Sequence, residues 1–200
     1  MAVVSIKNKL RRGNLLVGNT AFDPAAMDSI ATITVGSGGA STVTFSSIPS
    51  TYAHLQIRAF VQTNRGTYAT DSYYLQFNND TGSNYNYGWI RGNGSTAAAY
   101  HYPSAQTMAY VESASGTTVS PNAFGGAVID ILDYQNTNKY KTIRTLSGTD
   151  VNGTVAGYGG FVYLSSGLWM NTSAITSIKI TGDSTFQNYT TFALYGIKSA

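Results

Sequence analysis

The chain has no cysteine, so neither a disulfide framework nor a thiolate-bound metal can hold it together. That is compatible with folding in a reducing compartment. Charge is scarce as well: 10% of residues are charged, where soluble domains carry about a quarter. Glu112 is the sole glutamate, and His54 and His101 are the two histidines, so acid–base chemistry has few carriers. No run approaches the ~18 apolar residues of a membrane-spanning helix. The N-terminus is basic but has no apolar stretch behind it, so no secretory signal is expected.

What remains is 200 residues rich in Ser, Thr, Asn, Gly (21) and Tyr (15). A chain of this length buries a core without help from metals or cross-links. Its surface is polar through hydroxyls and amides, a composition common in proteins that work outside cells or pack into large assemblies. The net charge of +3 is unevenly spread. Lys7, Lys9, Arg11 and Arg12 lie in the first twelve residues, and positions 13–200 hold eight basic against nine acidic residues. The body is therefore close to neutral, which argues against a nucleic-acid-binding face on it.

Residues 1–28 read as a separate arm. Val3, Val4, Ile6 and Leu10 are interleaved with the four cations, Leu15-Leu16-Val17 follows Gly13-Asn14, and Phe22-Asp23-Pro24 marks a turn. The segment admits a short helical turn around Ser5–Arg12, too short to stand alone. A disordered tail is one reading. The other is an anchoring arm, Ile6, Lys7, Lys9, Leu10, Arg11, Arg12, Leu15, Leu16 and Phe22, ordered by docking on a partner that offsets its entropy loss.

From residue 29 onward the pattern is that of strands. In Ser41–Thr63, Val43 and Phe45 alternate with polar residues and Ser47-Ile48-Pro49-Ser50 breaks the run. Leu55, Ile57, Ala59 and Val61 then point one way, with Gln56, Arg58, Phe60 and Gln62 the other. Short strands separated by turn residues continue to the end. They cover 30–35, 42–46, 52–63, 72–78, 85–91, 107–112, 124–134, 139–147, 159–170 (interrupted at Gly167), 175–181 and 190–198. Gly88 marks a bulge or a close backbone approach, and residues 92–105 read as a long loop. Eleven strands without a helix suggest an all-β fold: an antiparallel β-sandwich of jelly-roll type over 29–200, preceded by an extended N-terminal arm. An up-and-down barrel fits less well, because several connections are longer than hairpins need.

No catalytic constellation is expected. His54 reads as a satisfied edge histidine, His101 lacks a carboxylate neighbour, and Asp130 and Asp133 fall on opposite faces of one strand. Asn78-Asn79-Asp80-Thr81-Gly82-Ser83-Asn84 has oxygen ligands at alternate positions, as a calcium loop does. One charge and no bidentate glutamate favour a plain turn. Neither a metal nor a cofactor is expected. Tyr85, Tyr87 and Trp89 share one strand face, with Tyr100, His101 and Tyr102 nearby in the loop. They suit the core, a subunit interface or a glycan-stacking site.

Four segments carry a resemblance: Ser29–Gly36, Ser41–Ala59, Tyr74–Ser95 and Thr191–Ala200. Their marks are Ile48, Pro49, Tyr52 and Leu55; then Phe77, Asn78, Asp80, Thr81, Gly82, Asn84 and Tyr85; then Leu194 to Ile197. The chain resembles bacteriophage virion structural proteins, most closely those of tailed marine and cyanobacterial phages. The opening Lys7–Pro24 is similar to the leader of some members. Position 79 is Asn where many relatives have Gly. The resemblance implies a non-enzymatic structural protein on the surface of the virion, docked through its arm, with capsid decoration or cement as the first expectation. A tail-fibre, neck or baseplate protein binding a host receptor glycan is the alternative, and a carbohydrate-active enzyme a weaker one. The implied partners are other virion proteins, further copies of the chain (a trimer among the options) and a host surface glycan. A membrane is not expected, and four arm charges make only a small footprint on nucleic acid.

Overall fold

A computed structural model describes residues 15–17, 20–22, 26–66, 68–102, 104–116, 122–155 and 158–198. Among these are fourteen strands and no helix. In order they are β1 (Leu15–Val17), β2 (Thr20–Phe22), β3 (Met27–Thr34), β4 (Ala40–Phe45), β5 (His54–Thr63), β6 (Thr70–Phe77) and β7 (Tyr85–Gly92). The rest are β8 (Ala97–His101), β9 (Ala109–Gly116), β10 (Gly125–Leu132), β11 (Lys141–Val155), β12 (Tyr158–Trp169), β13 (Ile178–Phe186) and β14 (Thr191–Ile197).

The pairing is that of a jelly roll. β3 pairs with β14, β4 with β13, β5 with β10 and β6 with β9, all antiparallel, so the chain runs as one long hairpin folded over. One sheet is then β3-β14-β5-β10 and the other β4-β13-β6-β9. Two inserted hairpins, β7-β8 and β11-β12, lengthen the first sheet to β3-β14-β5-β10-β11-β12-β7-β8. At their junction the sheets are stitched by a short parallel bridge between β5 and β9.

The alternation read in β5 holds. Leu55, Ile57 and Val61 are fully buried and Ala59 nearly so, whereas Phe60 is 61% exposed on the opposite face. Across the sandwich they meet Tyr73, Leu75 and Phe77 of β6, Val111 of β9 and Ile178 and Ile180 of β13. Phe186, Phe192 and Tyr73 close one end through edge-to-face contacts at 5.2–6.3 Å. Burying each such side chain contributes about 1.5–3 kcal/mol, which is what holds the two layers together.

Three expectations are corrected. Residues 92–105 are not all loop, because β8 runs through them. Ala97-Ala98-Ala99 has weak strand propensity and owes its conformation to pairing with β7. Gly167 does not interrupt β12, which pairs continuously from Val162 to Trp169 with β7. β3 begins at Met27, inside the span assigned to the arm. Of the arm, Ile6, Lys7, Lys9, Leu10, Arg11 and Arg12 lie outside the described residues. Leu15, Leu16 and Phe22 fall in β1 and β2, which form a separate two-stranded ladder with Leu15 opposite Phe22.

The segments that carry the resemblance are corner pieces of this fold. Ile48 is buried, and the Pro49 carbonyl accepts the Tyr134 hydroxyl. A side chain at Gly196 would collide with the Tyr52 ring at 2.3 Å, so the C-terminal Leu-Tyr-Gly-Ile and the Pro-x-x-Tyr turn are fitted to each other. Asn78 and Asn79 take left-handed backbone (φ 52° and 56°) between Phe77 and Asp80, a type I′ turn of the kind that favours Gly at its second position.

Candidate interaction surfaces

Side chains alternate along every strand, so the added strands β11, β12, β7 and β8 present two faces. The inner face continues the core side of the sheet and folds over β9, the edge of the smaller sheet. Tyr85 is fully buried between Phe77 and Trp169, and its hydroxyl accepts the Phe77 N–H at 2.9 Å. Burial pushes its pKa up to about 12. Tyr87 is 6% exposed and lies flat on Tyr110, ring centroids 5.0 Å apart at 1°. Neither is free to touch a receptor or a second subunit; both belong to the interior, covered by Phe77, Trp169 and Tyr110.

Trp89, Tyr100 and Tyr102 stand further out along the same face. Trp89 and Tyr102 are half-buried and Tyr100 is 48% exposed. Tyr100 packs 5.9 Å from Trp89 and edge-on to Tyr102 at 4.8 Å. The Arg91 guanidinium lies 5.0 Å over the Trp89 ring and donates to the Tyr163 hydroxyl at 3.2 Å. Glu112 completes the group. Ser72 donates to its carboxylate at 3.2 Å, and the Ser72 and Tyr110 hydroxyls are 2.6 Å apart. Burial raises the Glu112 carboxyl, outweighing the lowering by Tyr110, Ser72 and Arg91. Burial likewise pushes the Tyr87 and Tyr110 phenols upward. The result is a row of aromatic plates with one carboxylate and one guanidinium set in it, chemistry that suits stacking and hydrogen bonding.

His101 does not join this row. It sits on β8 opposite Gly88, and alternation turns it to the other face from Tyr100 and Tyr102. Gly88 lies where Tyr100 and His101 approach to within 3.1–3.2 Å of the position a Cβ would take, so it marks a close backbone approach. His54 is held structurally, its Nδ1 accepting the Asp133 N–H at 2.9 Å. Asp130 projects outward to Gln56 (2.9 Å) and Arg144 (3.2 Å), whereas Asp133 lies beyond the end of β10 and pairs with Lys139. Around Asp80 the partners are donors: the Trp169 Nε1–H (2.8 Å), the Asn84 amide (2.9 Å) and the Gly82 N–H (2.9 Å). Burial would raise the Asp80 carboxyl, but these donors, with Asn171, hold it below the usual carboxylate range. A carboxylate met by N–H groups anchors a turn.

The outer face is different. Val128, Leu146, Leu164 and Ile90 are direct cross-strand partners on β10, β11, β12 and β7, and Ala99 of β8 extends the row. They form one ridge across the sheet, 37–57% exposed at the four larger residues. Two residues along each strand lies a second row: Phe60, Gly126, Gly148, Val162, Gly92 and Ala97. Three glycines make most of it a trench, with Phe60 and Val162 standing out of it at 61% exposure. On the other side of the ridge the row is polar, with Gln56, Asp130, Arg144, Ser166 and His101.

No family model, curated protein or solved structure matches this chain. Geometry must therefore carry the functional reading. The ridge was legible only in fragments: Phe60 stands out as an apolar residue on the polar side of β5, and Val-Tyr-Leu in β12 gives apolar residues on both faces. Their alignment into one band is set by the register of strands up to a hundred residues apart.

Proposed function

We propose that this chain is a non-enzymatic structural protein of a bacteriophage virion, displayed on the particle surface as a capsid decoration or cement subunit. The observation that carries it is the apolar ridge on the outer face of the large sheet. Its four larger residues, with Phe60 and Val162 of the row beside it, expose on the order of 500 Å² of apolar surface, at the upper end for a protein that works alone. A face of this kind suits a subunit whose neighbours cover it. The jelly roll supplies a stiff body for that role, and the phage resemblance supplies the kind of particle. Residues 1–28 are assigned the docking role. Copies per virion, counted by quantitative mass spectrometry for the full chain and for a chain lacking residues 1–28, test the reading. Hundreds of full-length copies and none of the truncated chain are expected. A handful of copies shifts the assignment to tail, neck or baseplate, and unchanged incorporation of the truncated chain rejects the arm as anchor.

A second reading, host-glycan receptor binding, is favoured by the aromatic row of Trp89, Tyr100 and Tyr102 beside Glu112 and Arg91. Exposed rings stack on the apolar faces of sugars while the carboxylate and guanidinium take hydroxyls. Binding of the isolated protein to host cells, lost in Trp89→Ala and Tyr100→Ala, is its expected signature.

A further inference from the structure

The trench raises a question that this chain's own packing does not answer. Glycine inside a strand weakens it and gives up a side chain that could pack. At Gly126 a Cβ would meet nothing within 4 Å, and at Gly92 only the Thr96 carbonyl at 4.0 Å. Neither shows the left-handed backbone that demands glycine. Gly148 lies between them in the row, its own Cβ position 3.3 Å from the Phe161 carbonyl. The empty positions at Gly126 and Gly92 are therefore room that none of the described residues fills. The depressions they floor are walled by apolar side chains, Phe60, Leu146 and Val162 around the first and Ile90, Val162 and Leu164 around the second.

We propose that the occupant is a second copy of this chain, packed face to face about a two-fold axis that runs across the strands midway between ridge and trench. This deepens the structural reading above by naming the neighbour. The ridge and trench are roughly 7 Å apart, two residues along each strand. A two-fold axis between them lays the ridge of each copy over the trench of the other. Strand by strand the match is then Gly126 to Val128 of the mate, Gly148 to Leu146 and Gly92 to Ile90. Where the trench carries a side chain, Val162 meets Leu164, and Phe60 meets the Arg58 guanidinium, a pairing rings favour. A two-fold axis along the strands instead would set ridge on ridge and leave the trenches empty. Sheets packed face to face sit ~10 Å apart with interdigitated side chains, which this match allows. The exposed apolar area, with the polar row as rim, approaches the ~800 Å² per partner of a stable interface. Both copies contribute the same patch, as an isologous contact requires.

Sedimentation of the full chain over ~1–100 μM tests this. A concentration-dependent pair is expected. Leu146→Lys and Gly126→Val are expected to weaken it at least ~10-fold while leaving the melting temperature of the dilute protein unchanged or, for the valine, higher. The swap Gly126→Val with Val128→Gly restores a knob facing a hole in both copies and is expected to recover most of the loss. A chain that stays monomeric throughout, a trimer, or a pair indifferent to Leu146→Lys overturns the proposal. So does a double swap no better than Gly126→Val alone. Particle incorporation separates this from the broader reading. A monomer that enters particles with Leu146 protected from solvent keeps the structural role and rejects self-pairing. A pair that never enters particles does the reverse.

Discussion

The two sides of the large sheet carry similar side chains under opposite circumstances. On β5 the inner Ile57 and the outer Phe60 are three residues apart; the first is fully buried and the second 61% exposed. On β12 the inner Tyr163 is 2% exposed and the outer Leu164 52%. The inner residues have found partners within the chain, in the smaller sheet or in the aromatic stack over β9. Among the described residues the outer ones have not, yet they are aligned into rows as regular as a core layer. Hydrophobic character alone therefore does not separate core from interface here. What separates them is whether the chain itself supplies the opposing layer.

Core truncation should have the largest effect. Ile57→Ala leaves a cavity that the packed sandwich fills only partly, and is expected to cost about 2–5 kcal/mol in chemical denaturation. Phe60→Ser, on the other face, should change the stability of the dilute chain by no more than about 0.5 kcal/mol. Equal losses at the two positions would mean that the outer face is covered from within the chain. The Asp80 turn comes next. Asp80→Ala takes the acceptor from the Trp169 indole N–H and from Asn84, Gly82 and Asn171, for an expected loss of about 1–3 kcal/mol. Because the folded carboxyl sits below its unfolded value, its contribution is present above the unfolded pKa and lost as pH falls through the folded one. The wild-type advantage over Asp80→Ala should therefore shrink in acid, followed as urea midpoints at successive pH values.

A smaller effect, of opposite sign, is expected inside the core. The Tyr73 hydroxyl is buried with no hydrogen-bond partner among the described residues, its ring edge-on to Phe186 and Phe192. Tyr73→Phe removes that unsatisfied group and should stabilise by about 1 kcal/mol in thermal or denaturant unfolding. The smallest expected effect lies in the inner aromatic row. Burial raises the Glu112 carboxyl in the folded state, so folding is favoured while it is protonated and loses ground as pH rises from the unfolded pKa through the folded one. Glu112→Gln should flatten that decline, leaving the two proteins to diverge above the unfolded carboxylate range and to run parallel below it. A steeper decline in the variant would show that the charged form is the one the row stabilises.

Much of the architecture was readable in the amino acids. Period-two alternation in β4 and β5 located those strands and their buried faces, because an antiparallel strand with one wet side leaves that trace; β6 is buried on both faces and was placed only by its turn-flanked run. β8 left none, since three alanines carry no alternation and weak strand propensity. The inner aromatics divided along a line the sequence did not draw. Tyr85, Tyr87 and Trp89 have the same spacing, and only the packing of Phe77 and Trp169 on the first and of Tyr110 on the second decides that those two are covered and the third half-open. His101 was misplaced beside Tyr100 and Tyr102 because a loop has no faces and a strand does.

Local chemistry alone determined that this chain is all-β, that its body is close to neutral, and that the Asn-rich segment after β6 is a turn. Each of those follows from residues within a few positions of one another. The ridge, the trench and the polar row beside them were decided by tertiary structure. They join residues of β5, β7, β8, β10, β11 and β12 that are neighbours only through cross-strand register, and a shift of one residue in any pairing would turn that strand's contribution to the other face.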